Sequence, residues 1–310
     1  MSKSHGWPYR SLLFTPGHRA DWIRKTPAYQ PDAVILDLED AVPPAEKAGA
    51  RATTKEGIGF LASAGIGAFV RINASTVADD VSGIMAHGLT GICLPKLDNA
   101  DQVRELADVI SYAEGKTGMP HGSVDIVGIP ETAEGLCDIR LLARASKRVK
   151  SIMGALIDRI SDKVVFQGDT ALAAGFIPTK EGLEQLYLTS RLCMESRAGG
   201  APYPLATLIG TDLKDPTAAR RIVERIKAIG FAGCVCIHPS HVAIANELFR
   251  PSAAEVEFYS GLLQAMKDGE RKGLWAVTYS GMMIDQANVA VAERVLTEAT
   301  RYGMPVPSTV

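Results

Sequence analysis

The sequence predicts a closed (β/α)8 barrel of the TIM type, followed by a C-terminal helical extension. Eight short runs rich in β-branched and other apolar residues recur along the 310 residues. Amphipathic segments long enough for crossover helices lie between them, as parallel strands require. The open doubly wound sheet, the competing α/β architecture, lacks its signature, because no Gly-x-Gly-x-x-Gly follows the first run and no Walker-type loop occurs. Eight strand–helix units in alternation favour a barrel, and this chain length suits one.

The elements follow in order. Strands are expected at 11–15, 33–38, 68–73, 91–95, 124–129, 149–153, 204–209 and 233–237. The second is the most informative. Ala33-Val-Ile-Leu36 is a continuous apolar run suited to a strand buried on both faces, and it leads into Asp37, Glu39 and Asp40 before stopping at Pro43-Pro44. Three carboxylates at the end of a core strand require cations or a solvated mouth, since one unpaired buried carboxylate costs several kcal/mol. Amphipathic helices are expected at 100–113, 136–145, 181–197 and 216–229. Beyond the eighth strand come a helix at 240–248, a second to about 271, an irregular Gly-rich stretch at 273–281, and a final helix to about 301. The division expected is a barrel over 1–245 and a helical lid or oligomerisation segment over 246–310.

Composition narrows the classes of function. Hydrophobic residues make up 46%, enough for a substantial core, and 33 Lys plus Arg nearly balance 35 Asp plus Glu. No basic stripe points to nucleic acid. No apolar run reaches the roughly 18 residues of a membrane helix, and the polar first ten residues do not read as a signal peptide. A soluble cytoplasmic protein is the expectation. The five cysteines are read as reduced core residues without chemistry, because Cys234-Val-Cys236 lacks the gap of a redox or zinc pair.

In such a barrel the site is built at the C-terminal strand ends. Those ends supply Thr15-Pro-Gly-His-Arg19, then Asp37, Glu39 and Asp40, then Arg71-Ile-Asn73, Lys96, Glu131-Thr132 and His238-Pro-Ser240. Several carboxylates with Arg and Lys, and no paired Cys or His set, suit a hard cation held by oxygen, Mg²⁺ first. Mg²⁺ with open positions can chelate a 2-oxo acid while Arg71 forks onto a carboxylate, which supports a reaction through an enolate.

These segments resemble a known family. Arg10-Ser-Leu-Leu-Phe-Thr-Pro-Gly, Leu36-Asp-Leu-Glu-Asp-Ala-Val-Pro-Pro with Lys47, Val70-Arg-Ile-Asn-Ala74, Leu94-Pro-Lys96, Glu131-Thr-Ala-Glu-Gly135, Cys236-Ile-His-Pro-Ser240 and Gly281-Met-Met-Ile-Asp285 look like the citrate lyase β-subunit-like proteins of the aldolase/citrate lyase superfamily. The likeness runs in order from about residue 10 to about residue 300. It implies Mg²⁺-dependent cleavage or formation of a 3-hydroxyacyl-CoA thioester, of the citryl-, malyl- or citramalyl-CoA lyase type, with an acyl-CoA and a 2-oxo acid as products. It also implies a homo-oligomer, a homotrimer or a dimer of trimers.

Position by position, the resemblance makes Glu131 a metal ligand and Arg71 the clamp on the oxo-acid carboxylate. Glu39 and Asp40 become carboxylates that hold the ion's water ligands. Arg19, with Lys25 and Lys96, would meet the thioester, and Asp285 would be the acid/base group on a segment covering an adjacent subunit's mouth. Simpler roles compete: Arg71 as an ion pair to Asp37 or Glu39, Asp285 as a helix N-cap, and His238 and His241 as packing or capping residues.

The sequence departs from the family at the second metal carboxylate. The family strand ends Gly-Ala-Glu-Asp, whereas this one ends Gly154-Ala-Leu-Ile157. An insertion of about ten residues reconciles the two. It leaves Asp158 or Asp169 as the ligand, with Asp169 preferred because Gly168-Asp169 keeps its spacing to Thr179-Lys-Glu-Gly182. Pro130 is expected at the fifth strand's last position, where it loses one ladder bond. Two alternatives stay open: a metal-dependent aldolase on free hydroxy-oxo acids, and a catalytically silent barrel subunit.

Overall fold

The computed structural model describes residues 6–157, 167–209, 213 and 215–307. Eight parallel strands close into one barrel in sequence order: β1 (Ser11–Pro16), β2 (Ala33–Asp37), β3 (Gly67–Arg71), β4 (Leu89–Leu94), β5 (Asp125–Gly128), β6 (Val149–Ile157), β7 (Leu205–Ile209) and β8 (Gly233–Cys236). The circle closes where Leu12 of β1 pairs with Val235 of β8. The expected (β/α)8 barrel is the observed fold.

Side chains alternate across each strand, so every second residue points into the barrel. The interior row is Leu12, Ile35, Phe69, Cys93, Val127, Met153, Leu205 and Val235, all buried. The intervening residues Leu13, Val34, Leu36, Val70 and Ile92 are as fully buried, beneath the surrounding helices. Burial on both faces explains the unbroken apolar runs in the sequence. At the N-terminal end Trp7 closes the interior. Its ring stacks on Tyr203 at 5.4 Å and its indole N–H donates to Asp125 at 2.9 Å.

Several expected elements are shaped differently. β6 continues four residues past 153, to Ile157. The helix expected at 136–145 is two short ones, Ala133–Cys137 and Ile139–Arg144, separated by Asp138 with φ −105° and ψ 19°. β5 ends at Gly128, so Pro130 lies past the ladder and interrupts nothing. Cys137 is exposed, unlike the other four cysteines, because it ends a short helix instead of facing the core.

The chain divides into two compact units, 1–247 and 248–310. In the second, the helix Ala253–Glu270 begins with a capping box between Ser252 and Glu255. Its Leu262 and Met266 share a core with Ile284 and with Ala292 of the helix Gln286–Arg301. The stretch expected to be irregular is an antiparallel hairpin, β9 (Val277–Tyr279) and β10 (Met282–Ile284). Ser280 and Gly281 form its loop with φ of 49° and 76°. Two positive φ values define the tight turn that matches strand twist, and glycine supplies one without strain. Among the described residues no helix is long and apolar enough to cross a membrane.

Candidate active site

The inward rows do not stop at the core. One step further toward the C-terminal ends, the same periodicity presents Phe14, Asp37, Arg71, Ile129, Ala155, Thr207 and Ile237, and one step beyond lie Glu131 and Ile209. All nine line a single cavity of about 470 Å³ at the barrel mouth. Strand geometry therefore brings Asp37, Arg71 and Thr207 in among apolar side chains one step above the core.

Arg71 is the centre of the charged side. Its Nε and Nη2 each donate to a different oxygen of Asp37 at 2.7 Å, a two-pronged ion pair. Asp37 also accepts from the backbone N–H groups of Glu39 and Ala41, at 3.0 and 2.9 Å, which folds the following loop back over the strand end. The Phe14 ring lies 5.0 Å from the guanidinium carbon. Burial disfavours the Arg71 charge, but the hydrogen bonds and charge of Asp37 outweigh it, so the net shift is upward. The fork expected to clamp a substrate carboxylate thus has its Nε–Nη2 edge taken by Asp37. Nη1 reaches Glu39 at 3.1 Å and Asp40 at 3.3 Å, which leaves the Nη1–Nη2 end facing the carboxylate loop.

Glu39 and Asp40 differ in their surroundings. Glu39 is buried, with Oε1 paired to Lys96 Nζ at 3.0 Å, whereas Asp40 is exposed. Glu39 Oε2 has no aligned hydrogen-bond donor among the described residues despite its closeness to Arg71. Burial raises the Glu39 carboxyl, and Arg71 opposes that shift.

Lys96 links two carboxylates. Its side chain meets Glu39, and its backbone N–H donates to Glu131 Oε2 at 3.0 Å. That geometry requires φ of 50°, a left-handed conformation for a non-glycine residue, at a cost on the order of 1 kcal/mol. Glu131 is held from the other side by its own motif. Thr132 caps the next helix by accepting from Gly135 N at 3.2 Å, and a Cβ on Gly135 would come within 2.0 Å of the Leu97 carbonyl oxygen. Burial pushes the Glu131 carboxyl up to about 7, helped by the neighbouring charges of Glu39 and Asp169 and opposed by the Lys96 amide.

Asp169 lines the same cavity as the first residue of the helix Asp169–Ala174. Ile157, in the slot where the family carries its Asp, is buried and adjoins Ile209 in register. Gly168 and Asp169 both line the cavity, together with Ile209. Asp158 lies outside the described residues.

The remaining predicted positions lie elsewhere. Arg19 is half-buried, paired with Asp21 through two contacts of 2.9 Å and stacked 4.7 Å from the Trp22 ring, which itself borders the cavity. Lys25 is exposed. Asp285 belongs to the second unit and caps the helix Gln286–Arg301, accepting from Ala287 N at 3.0 Å while Asn288 accepts from its N–H at 2.9 Å. His238 binds Ser240 at 2.8 Å, and burial, with His238 nearby, lowers buried His241 to about 4. Phe14 is a site residue that the motif reading passed over, and its signal was strand parity, since it continues the inward row. Asp37, expected among the strand-end carboxylates, makes the ion pair to Arg71 that stood as the simpler reading of that arginine.

A cavity at the C-terminal strand ends, with carboxylates around a tethered arginine, defines an enzyme site of the (β/α)8 class. Residues 10–239 match the HpcH/HpaI aldolase/citrate lyase family, and the chain belongs to it. It is a carbon–carbon lyase of the CoA-ester lyase and aldolase group. A citrate lyase subunit beta-like protein of Deinococcus radiodurans is 33% identical over 294 residues, covering 93% of this chain and 96% of that protein. The human mitochondrial citramalyl-CoA lyase is 26% identical, covering 94% and 86%. A crystal structure of CitE from Mycobacterium tuberculosis in complex with magnesium, acetoacetate and coenzyme A is similar, with TM-score 0.69 and 27% identity over 94% of this chain and 97% of that one.

Proposed function

We propose that this protein is a Mg²⁺-dependent lyase that cleaves, or forms, a 3-hydroxyacyl-CoA thioester, giving an acyl-CoA and a 2-oxo acid. The observation that carries the reading is the convergence of Glu131, Asp169 and Arg71 on one cavity. The donor set fits Mg²⁺. Both candidate ligands are carboxylates, and Glu39 Oε2, buried without an aligned donor, can hold a water beside them.

Glu131 and Asp169 would hold the ion, which when bound supplies charge stabilisation for an enolate and a chelated oxo acid. Arg71, oriented by Asp37, would bind the substrate carboxylate through its Nη1–Nη2 end. Lys96 keeps Glu131 and Glu39 at fixed separation. Asp285, on the C-terminal unit of a neighbouring subunit, would accept the 3-hydroxyl proton. The C2–C3 bond then breaks, C3 becomes the carbonyl of the 2-oxo acid, and the thioester enolate at C2 takes up a proton. Arg19 and Lys25 would meet the thioester's phosphates at the rim. The assembly would be a homotrimer or a dimer of trimers.

Assay of malyl-, citramalyl- and citryl-CoA cleavage, with and without EDTA, tests the reading. EDTA-sensitive release of a 2-oxo acid from one of these esters is expected. Cleavage confined to free hydroxy-oxo acids would make the protein an aldolase without CoA, and inactivity on both classes would overturn the substrate reading.

A further inference from the structure

The cavity has two unlike arcs, and the strand order sets them apart. Around β2, β3 and β5 it carries Asp37, Arg71 and Glu131 beside Ile129, whereas β6, β7, β8 and β1 contribute Met153, Ala155, Ile209, Ile237 and Phe14. The polar side chains on the strands of the second arc are hydroxyls, Thr15 and Thr207, and Asp169 stands past the end of β6. Among the described residues lining the cavity, Arg71 is the one cation, and Asp37, Glu39 and Asp40 already surround it. One incoming carboxylate can share its Nη1–Nη2 end. A second would face the apolar side chains described on that arc, and an unpaired carboxylate taken from water there is strongly disfavoured.

Resting on the proposed lyase reading, we infer that the 2-oxo acid handled here is a monocarboxylate with an apolar substituent. The second arc, Ile209 in particular, contacts that substituent and selects against dicarboxylic oxaloacetate. A substituent of two or three carbons replaces water along Met153, Ile209 and Ile237, whereas a terminal carboxylate loses its hydration without a partner.

Two acids of equal length isolate the effect. 2-Oxobutyrate and oxaloacetate both have four carbons, and they differ in a terminal methyl against a carboxylate. Calorimetric titration of each into the full-length protein with Mg²⁺ present should give 2-oxobutyrate at least about a tenfold tighter dissociation constant. Ile209 is half-buried at the last position of β7, so the ammonium of Ile209→Lys can reach the mouth. That variant should narrow or invert the preference by a similar factor. If it fails to fold, Ile237→Lys, at a position 48% exposed, makes the same test. Oxaloacetate bound as well as or better than 2-oxobutyrate by the native protein overturns the inference but leaves the lyase reading intact. A preference unmoved by a folded lysine variant removes that arc from substrate selection. Binding of neither acid overturns both.

Discussion

Glu131 is caught between burial and function. Burial holds its carboxyl at about 7, so near neutral pH a proton would compete with the proposed Mg²⁺ for the same oxygens. Apparent Mg²⁺ affinity should therefore fall about tenfold for each pH unit below 7, since one proton must leave for each ion bound. Titration at several pH values measures this, and an affinity that stays flat from about pH 5.5 to about pH 8 would take Glu131 out of the ion site. In the metal-free protein the same shift has a second consequence. The folded state keeps the proton up to about 7, whereas an unfolded glutamate releases it near about 4.3, so stability declines as pH rises through that window. Glu131→Gln removes the decline, by on the order of 1–3 kcal/mol above neutral pH, which denaturant melts at both ends of the window would detect. Arg71 makes a complementary case. Because Asp37 takes two aligned N–H donors from Arg71, Arg71→Lys leaves one of its oxygens with a backbone N–H alone and should lose nearly as much as Arg71→Ala. The loss is on the order of 2–4 kcal/mol, or roughly 30- to 1,000-fold in kcat/KM. A lysine variant within about threefold of the native enzyme would refute the role given to the fork.

At the scale of elements, what the sequence made legible was what local pattern controls. Continuous apolar runs marked the strands because burial on both faces removes alternation, and carboxylates at the end of β2 marked the mouth. Parity was legible too, although the motifs drew attention away from it: Phe14 and Asp37 follow Leu12 and Ile35 into the cavity by the same two-residue step. The hairpin at 277–284 was hidden because its loop, Ser280-Gly281, is a weak turn signal and its strands are three residues each. The left-handed backbone at Lys96 was hidden for a different reason. Nothing local favours it, and the contacts of Glu131 and Glu39 with Lys96 maintain it. The glycine of the Glu131–Gly135 motif gives this scale its prediction. With 2.0 Å to the Leu97 oxygen, a Cβ at Gly135 forces the helix Ala133–Cys137 away from the loop that carries Lys96. Gly135→Ala should destabilise the protein by roughly 1–3 kcal/mol and loosen the Glu131 carboxylate. A loss of Mg²⁺ affinity in the still-folded variant would report the second effect. Unchanged melting would show that the neighbouring backbone yields freely.

For the whole molecule, sequence order was enough for the barrel and its mouth but not for the second carboxylate. The insertion between β6 and Asp169 breaks the one-to-one reading of motif onto strand end, and it is the fold that shows Asp169 lining the cavity. The C-terminal unit presents the same problem at larger scale. Asp285 is an ordinary N-cap in its local contacts, and a capping role alone would explain its presence. What distinguishes a cap from a proton acceptor is whether another chain's barrel depends on it. Leu274, Trp275, Met282 and Met283, all about half or more exposed, give that unit an adaptable apolar surface. If the proposed exchange of C-terminal units between subunits holds, Asp285→Ala and Glu131→Ala chains, each inactive alone, should restore activity when mixed and allowed to exchange. A functional site then needs Glu131 from one chain and Asp285 from another, and in a random mixture about one site in four has both. Recovery should approach that quarter of native activity, and its dependence on exchange time should follow the mass-spectrometric appearance of hybrid oligomers. Hybrids that form and stay inactive would return Asp285 to its cap.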